Sequence, residues 1–187
     1  MSLNPKLKAA IDHLRIADVT LKSINAFLCE DFDPMELDEQ KGVLFQTVHP
    51  ICKAIRRLEG EAVGQVRKRA VFEMFAGLRV LRHVDVVREI DDDIEKQVCA
   101  TIECHFLVAY DESEHASDSL DEEALSAFAQ HNVPFNVWPY WREITQSACG
   151  RMGLPRIVLP THRLHKSATV SDTKDGAQPD DRTVAAK

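Results

Sequence analysis

Two stretches of strict alternation constrain this chain more than any other feature. RAVFEMFAGLRVLRHV (69–84) puts Phe72, Met74, Ala76, Leu78 and Val80 on one side of an extended backbone. QVCATIECHFLVAY (97–110) does the same with Val98, Ala100, Ile102, Cys104, Phe106 and Val108. A period of two scatters side chains around a helix but collects them on one face of a strand, so both stretches predict strands. The acidic EIDDDIE between them (89–95) connects them as an antiparallel pair. Glu73, Gly77 and Arg79 on the first strand, and Cys99, Thr101, Glu103 and His105 on the second, occupy the alternate positions and predict a sheet wetted on one face.

The remaining elements follow from local pattern. Leu7, Ala10, Ile11 and Leu14 have helical spacing, compatible with a short lead-in helix or with extended chain. Ile16 to Phe27 predicts a first strand with an irregularity near Ser23 and Ile24, and residues 30–42 form an acidic loop. Val43 to Val48 predicts a short strand ending before Pro50, which lacks the N–H a ladder needs. After the acidic DESEHASD (111–118), Ser119-Leu-Asp-Glu122 reads as a capping box opening a helix with Leu120, Ala124, Leu125 and Phe128 on one side. A longer helix follows Pro134. Its stripe is Trp138, Trp141, Ile144, Ala148, Cys149 and Met152, with Pro139 in its first turn and Gly153 as its stop. LPRIVLP (154–160) reads as extended. Beyond Leu164 there is no aromatic, Leu or Ile, so the expectation is a domain over 1–164 and a disordered polar tail over 165–187. Strands first and helices late predict an α+β domain, an antiparallel sheet with helices on one face.

Composition excludes several function classes. A net charge of −7 argues against nucleic acid as the main partner, and the basic run Arg67-Lys68-Arg69 reads as a solvated strand end. The five cysteines have no C-x-x-C spacing, which predicts neither a disulfide framework nor a zinc knuckle but reduced thiols in a cytoplasmic protein. His162-x-x-His165 and Cys104-His105 lack further ligands at suitable spacing, so no metal and no cofactor is expected. No apolar run reaches membrane-spanning length. Without G-x-S-x-G, H-E-x-x-H or a P-loop, the sequence predicts no enzyme.

NVWPYWRE (136–143) holds both tryptophans of the chain. Burying ~200 Å² of one Trp is worth roughly 5 kcal/mol, comparable to the net stability of a domain, so their placement on the apolar stripe points to core or interface. Tyr140 lies off the stripe and Phe135 precedes it, which makes these two better candidates for a groove or subunit contact.

AFAQHNVPFNVWPYWREITQSACGRMGLPRIVLP (127–160) resembles the C-terminal signature of the SecB family of export chaperones. The matching positions are Trp138-Pro139-Tyr140, Arg142-Glu143, Gly153 and Leu154-Pro155-Arg156-Ile157-Val158-Leu159. The resemblance implies a four-stranded antiparallel sheet with helices packed on one face, assembled as a homotetramer, a dimer of dimers. It implies ATP-independent holding of unfolded polypeptide clients in hydrophobic grooves, with SecA as partner in protein export. The residues it offers for client binding or subunit contact are Phe135, Trp138, Tyr140, Trp141, Leu154, Ile157 and Leu159. An acidic docking surface would comprise Glu89, Asp91, Asp92, Asp93 and Glu95. Family members continue after the Pro-x-Leu stretch into Asn-Phe and another helix, where this chain has Thr161-His162-Arg163-Leu164. That departure leaves room for a SecB-like chaperone dedicated to an antitoxin. A different class of reading is a small-ligand-binding domain or enzyme whose aromatics line a closed pocket.

Overall fold

The computed structural model of the chain describes residues 4–36, 43–62, 65–82, 97–113 and 120–160. Its elements in order are α1 (Pro5–His13), β1 (Leu14–Leu28), a single 3-10 turn (Pro34–Glu36), β2 (Val43–Ala62), β3 (Gln65–Arg82), β4 (Val98–Glu112), α2 (Glu122–His131) and α3 (Val133–Arg151). The strands form one antiparallel sheet in the order β1-β4-β3-β2.

β3 and β4 are the two alternating stretches, and their register explains the core. Phe72 lies opposite Val108, Met74 opposite Phe106, Ala76 opposite Cys104 and Leu78 opposite Ile102, all buried under the helices. Phe72, Tyr110 and Phe128 form an aromatic triad, with Tyr110 edge-on to both partners at centroid distances of 5.5 and 4.9 Å. This arrangement suits the ring quadrupole. The opposite face is less wet than the alternation predicts, because Cys99 and Thr101 are buried there while Glu73 and His105 are partly open.

The strand expected to stop before Pro50 instead runs 20 residues through it. Among the described strands β2 pairs with β3 alone, and its register shifts between Val48 and Ile51 and again between Cys52 and Ala54. An edge strand needs ladder donors on one side only, and an irregularity absorbs the missing N–H, so the proline ends nothing. β1 has its irregularities between Ile16 and Asp18 and between Leu21 and Ser23.

Two helix starts also differ from the sequence pattern. α2 is capped by Asp121, whose carboxylate accepts the Ala124 N–H at 2.8 Å, and not by the capping box opening at Ser119, which lies outside the described residues. The same carboxylate is paired with Lys6 of α1. α3 begins at Val133 with Pro134 in its first turn, so Pro139 is interior, where it lacks the N–H that would bond the Phe135 carbonyl. At the other end Gly153 adopts φ 69°, and the Leu154 N–H reaches back to the Cys149 carbonyl at 2.9 Å. That bond closes a Schellman turn, as the glycine predicts. Residues 154–160 join no ladder, but Leu154, Ile157 and Leu159 are buried, and the Pro160 carbonyl accepts the Trp138 Nε1–H at 2.9 Å.

Candidate functional site

The β2 edge of the sheet and the two helices beside it form an open groove. β2 supplies Pro50, Ile51 and Ile55 as one wall, and α2 with the start of α3 supplies Leu125, Ala129 and Pro134 as the other. Two adjoining hollows of about 460 and 440 Å³ share Ile55 and Ser126, which makes the depression elongated. Ser126, Gln130, Arg57 and Glu122 place polar atoms at its rim. Burial pushes the Cys52 thiol up, so the group in this groove stays protonated.

Local structure explains why the walls hold their positions. Phe128 anchors α2 in the aromatic triad, and α1 braces it through Lys6 and Asp121. Arg57 of β2 reaches across to the nearly inaccessible carboxylate of Glu112 on β4 with a fork of two bonds, at 2.9 and 2.5 Å, and also donates to the Leu120 carbonyl at 3.1 Å. Its ladder partner, Ala70, leaves room for that reach. Hydrogen bonding to Glu112 raises the Arg57 pKa, so the guanidinium stays charged and ties the groove edge to the body of the sheet.

A second apolar surface lies on β1. Ile16, Leu21 and Ile24 pair with the core residues Tyr110, Phe106 and Cys104, so they share the helix-side face of the sheet. They are nevertheless 41 to 51% exposed, because the helices pack mainly against β2, β3 and β4 and leave this edge open. An exposed apolar row is the kind of surface that protein–protein contacts commonly use.

Of the residues singled out by sequence, Trp138, Trp141, Leu154, Ile157 and Leu159 are buried within this chain. Trp138 stacks on His49 of β2 at 5.1 Å. Phe135 and Tyr140 are exposed, at 50 and 48%. Five residues apart on one helix, they point about 140° away from each other and do not form one patch. Glu89, Asp91, Asp92, Asp93 and Glu95 lie outside the described residues, as does the tail. The described open face carries mixed charge: Lys22 bonds Glu73 at 2.7 Å, with His105 4.0 Å from the same carboxylate. Sequence reasoning missed the groove because its β2 wall, KAIRRL, has too few apolar residues to announce a strand.

No protein-family model matches the chain, and no curated protein matches it. Among solved structures, the chain is similar to the SecB-like chaperone Rv1957 of Mycobacterium tuberculosis, solved in complex with a ChAD peptide from the antitoxin HigA1 (Rv1956). The TM-score is 0.59 at 19% identity, over 86% of this chain and 98% of that one. The fold is SecB-like. The four-stranded antiparallel sheet with helices on one face is the architecture that the resemblance of residues 127–160 implied. No described helix is long and apolar enough to cross a membrane, and no described group of three or more His, Cys, Asp or Glu is arranged to hold a metal.

Proposed function

We propose that this chain is an ATP-independent chaperone of the SecB-like kind, holding extended, non-native polypeptide against its exposed apolar surfaces. The observation that carries the reading is the groove along β2. It joins a free strand edge, able to pair with an extended backbone, to an apolar floor of Ile51, Ile55 and Leu125 that takes side chains of many shapes. No nucleotide enters this scheme, because binding needs only apolar burial and edge pairing. Phe135 and Tyr140 act as further client or subunit contacts, while Trp138, Trp141, Leu154, Ile157 and Leu159 shape the helix and the segment that cover the sheet. The working form is a homotetramer in the cytoplasm, which brings the bare β1 edges of neighbouring copies under cover.

A dedicated antitoxin is the partner best supported, since the similar mycobacterial chaperone carries an antitoxin peptide. Protein export through SecA, docked on Glu89, Asp91, Asp92, Asp93 and Glu95, is the second reading. The enzyme or small-ligand alternative is not favoured, because Trp138 and Trp141 are packed in the core and line neither hollow of the groove. The test is suppression of aggregation of a chemically unfolded model protein, without ATP, by wild type, by Ile51→Ser/Ile55→Ser and by Phe135→Ser/Tyr140→Ser. Wild type is expected to suppress, and both double variants to lose most of that activity with unchanged circular dichroism. Absence of suppression by the wild-type protein would overturn the reading.

A further inference from the structure

Two cysteines are joined through their backbones where β1 runs out. The β1–β4 ladder ends at Leu28 opposite Ala100, and one step further the Cys29 N–H donates to the Cys99 carbonyl at 2.9 Å. A hydrogen-bonded pair in regular antiparallel strands has Cα atoms about 5.5 Å apart, within the range of about 4.4 to 6.8 Å that a disulfide spans, and the backbone bond brings Cys29 and Cys99 into that neighbourhood. Cys99 is also the extra residue of a bulge, since Val80 pairs with Ala100 and Leu81 with Val98. A bulge frees a side chain from the regular alternation. The Cys99 thiol is fully buried and donates to the Val80 carbonyl at 3.2 Å, while Cys29 is half-buried and within reach of small solutes.

The turn carrying Cys29 is held in place. The Phe32 N–H donates to the Cys29 carbonyl at 3.1 Å, and Arg82 at the end of β3 bonds the Asp31 carbonyl at 2.8 Å and its carboxylate at 3.0 Å. The Arg82 guanidinium lies over the Phe32 ring at 5.5 Å, and its buried Nε has no acceptor among the described residues.

We propose that Cys29 and Cys99 are a redox pair, forming a reversible cross-strand disulfide that staples the exposed edge strand β1 to β4 when the protein meets a peroxide. Cys29, the accessible thiol, attacks a peroxide oxygen as its thiolate; the O–O bond breaks, Cys29 becomes a sulfenic acid and the leaving hydroxide is protonated to water. Cys99 then turns from the Val80 carbonyl and attacks that sulfur. The S–S bond forms, the S–O bond breaks and a second water leaves with the Cys99 proton. Two thiols lose two electrons and two protons, and the peroxide is reduced to two waters. A dithiol reverses the step by exchange.

The remaining cysteines are unsuited to this chemistry. Burial pushes Cys104 up to about 12 and Cys149 up to about 11, keeping both as inert thiols, and Cys52 has Met74 as its ladder partner. Burial raises Cys99 too, with the positive charge of Arg82 acting partly against it, so Cys99 is the resolving thiol and gives up its proton only as it attacks the Cys29 sulfenic acid.

The test exposes the full-length, reduced protein to hydrogen peroxide, alkylates the remaining thiols and maps peptides by mass spectrometry without reduction. One cross-link is expected, with fragment ions assigning Cys29 and Cys99 rather than Cys104. The unfolding midpoint should rise by about 5 °C on oxidation and return on adding dithiothreitol. Cys52→Ser should give the same Cys29–Cys99 cross-link, and Cys99→Ser should halt at a Cys29 sulfenic acid that dimedone labels. Should Cys99→Ser fail to fold, the wild-type peptide map decides alone. Cys29 found joined to a second protomer, or over-oxidised while Cys99 remains alkylated, would overturn the proposal.

Discussion

At the scale of single residues, α3 carries polar groups that its burial does not satisfy. Thr145 and Trp141, one turn apart and fully buried, leave Oγ1 and Nε1 without a hydrogen-bond partner among the described residues. An unpaired buried hydroxyl costs on the order of 1 kcal/mol or more, so the near-isosteric Thr145→Val should stabilise the fold by about 1 kcal/mol in urea denaturation. A loss of stability instead would mean the hydroxyl has a partner in solution. Glu73 presents the opposite case. The Lys22 hydrogen bond, with the charges of Lys22, Arg56 and His105, holds its carboxyl below the usual range. A pKa lowered by folding contributes stability above the unfolded value, and that contribution fades as the folded carboxylate is protonated. The stability difference between wild type and Glu73→Gln should therefore be constant near neutral pH and shrink as pH falls below about 4.3, the ordinary glutamate value. A difference that persisted in acid would show that the pair does not act through its charge.

At the scale of elements, the stop of α3 sets the path of the segment behind it. Gly153 sits at φ 69°, and a Cβ there would come within 3.2 Å of the Pro34 ring. Strain and contact act in the same direction, so Gly153→Ala should cost about 1 to 2 kcal/mol in thermal or chemical unfolding. The turn also delivers Leu154, Ile157 and Leu159 to the core and Pro160 to Trp138, so the substitution should loosen the tryptophan environment, read as a shift of its fluorescence. Element type was legible wherever a period was long and clean: β3, β4 and the stripe of α3 all follow from spacing. β2 was legible only to Val48, because an edge strand with two irregularities and the charged run KAIRRL keeps no single period.

At the scale of the whole molecule, the sheet is wider than the helices that cover it. Ile16, Leu21 and Ile24 extend the core face beyond α3 and remain bare in one chain. Burying such a row against a second copy gives a dimer, and two such dimers make the proposed tetramer, so static light scattering should give the mass of four chains at micromolar concentration. Leu21→Lys/Ile24→Lys should give smaller species that remain folded by circular dichroism. A wild-type protein that scatters as a monomer at every concentration would rule the assembly out.

The sequence by itself determined which residues face the core, because periods of two and of 3.6 are properties of the local backbone and survive in any tertiary context. It also marked the glycine stop and, through residues 127–160, the SecB-like fold. Only the tertiary structure decided where the bare surface lies, since exposure of Ile16, Leu21 and Ile24 depends on where helices distant in sequence come to rest. The same is true of the backbone hydrogen bond between Cys29 and Cys99, 70 residues apart in the chain. NVWPYWRE illustrates both limits: its spacing placed Trp138 and Trp141 on the buried stripe, while only the packed fold shows that Phe135 and Tyr140 point apart and that Pro139 lies inside the helix.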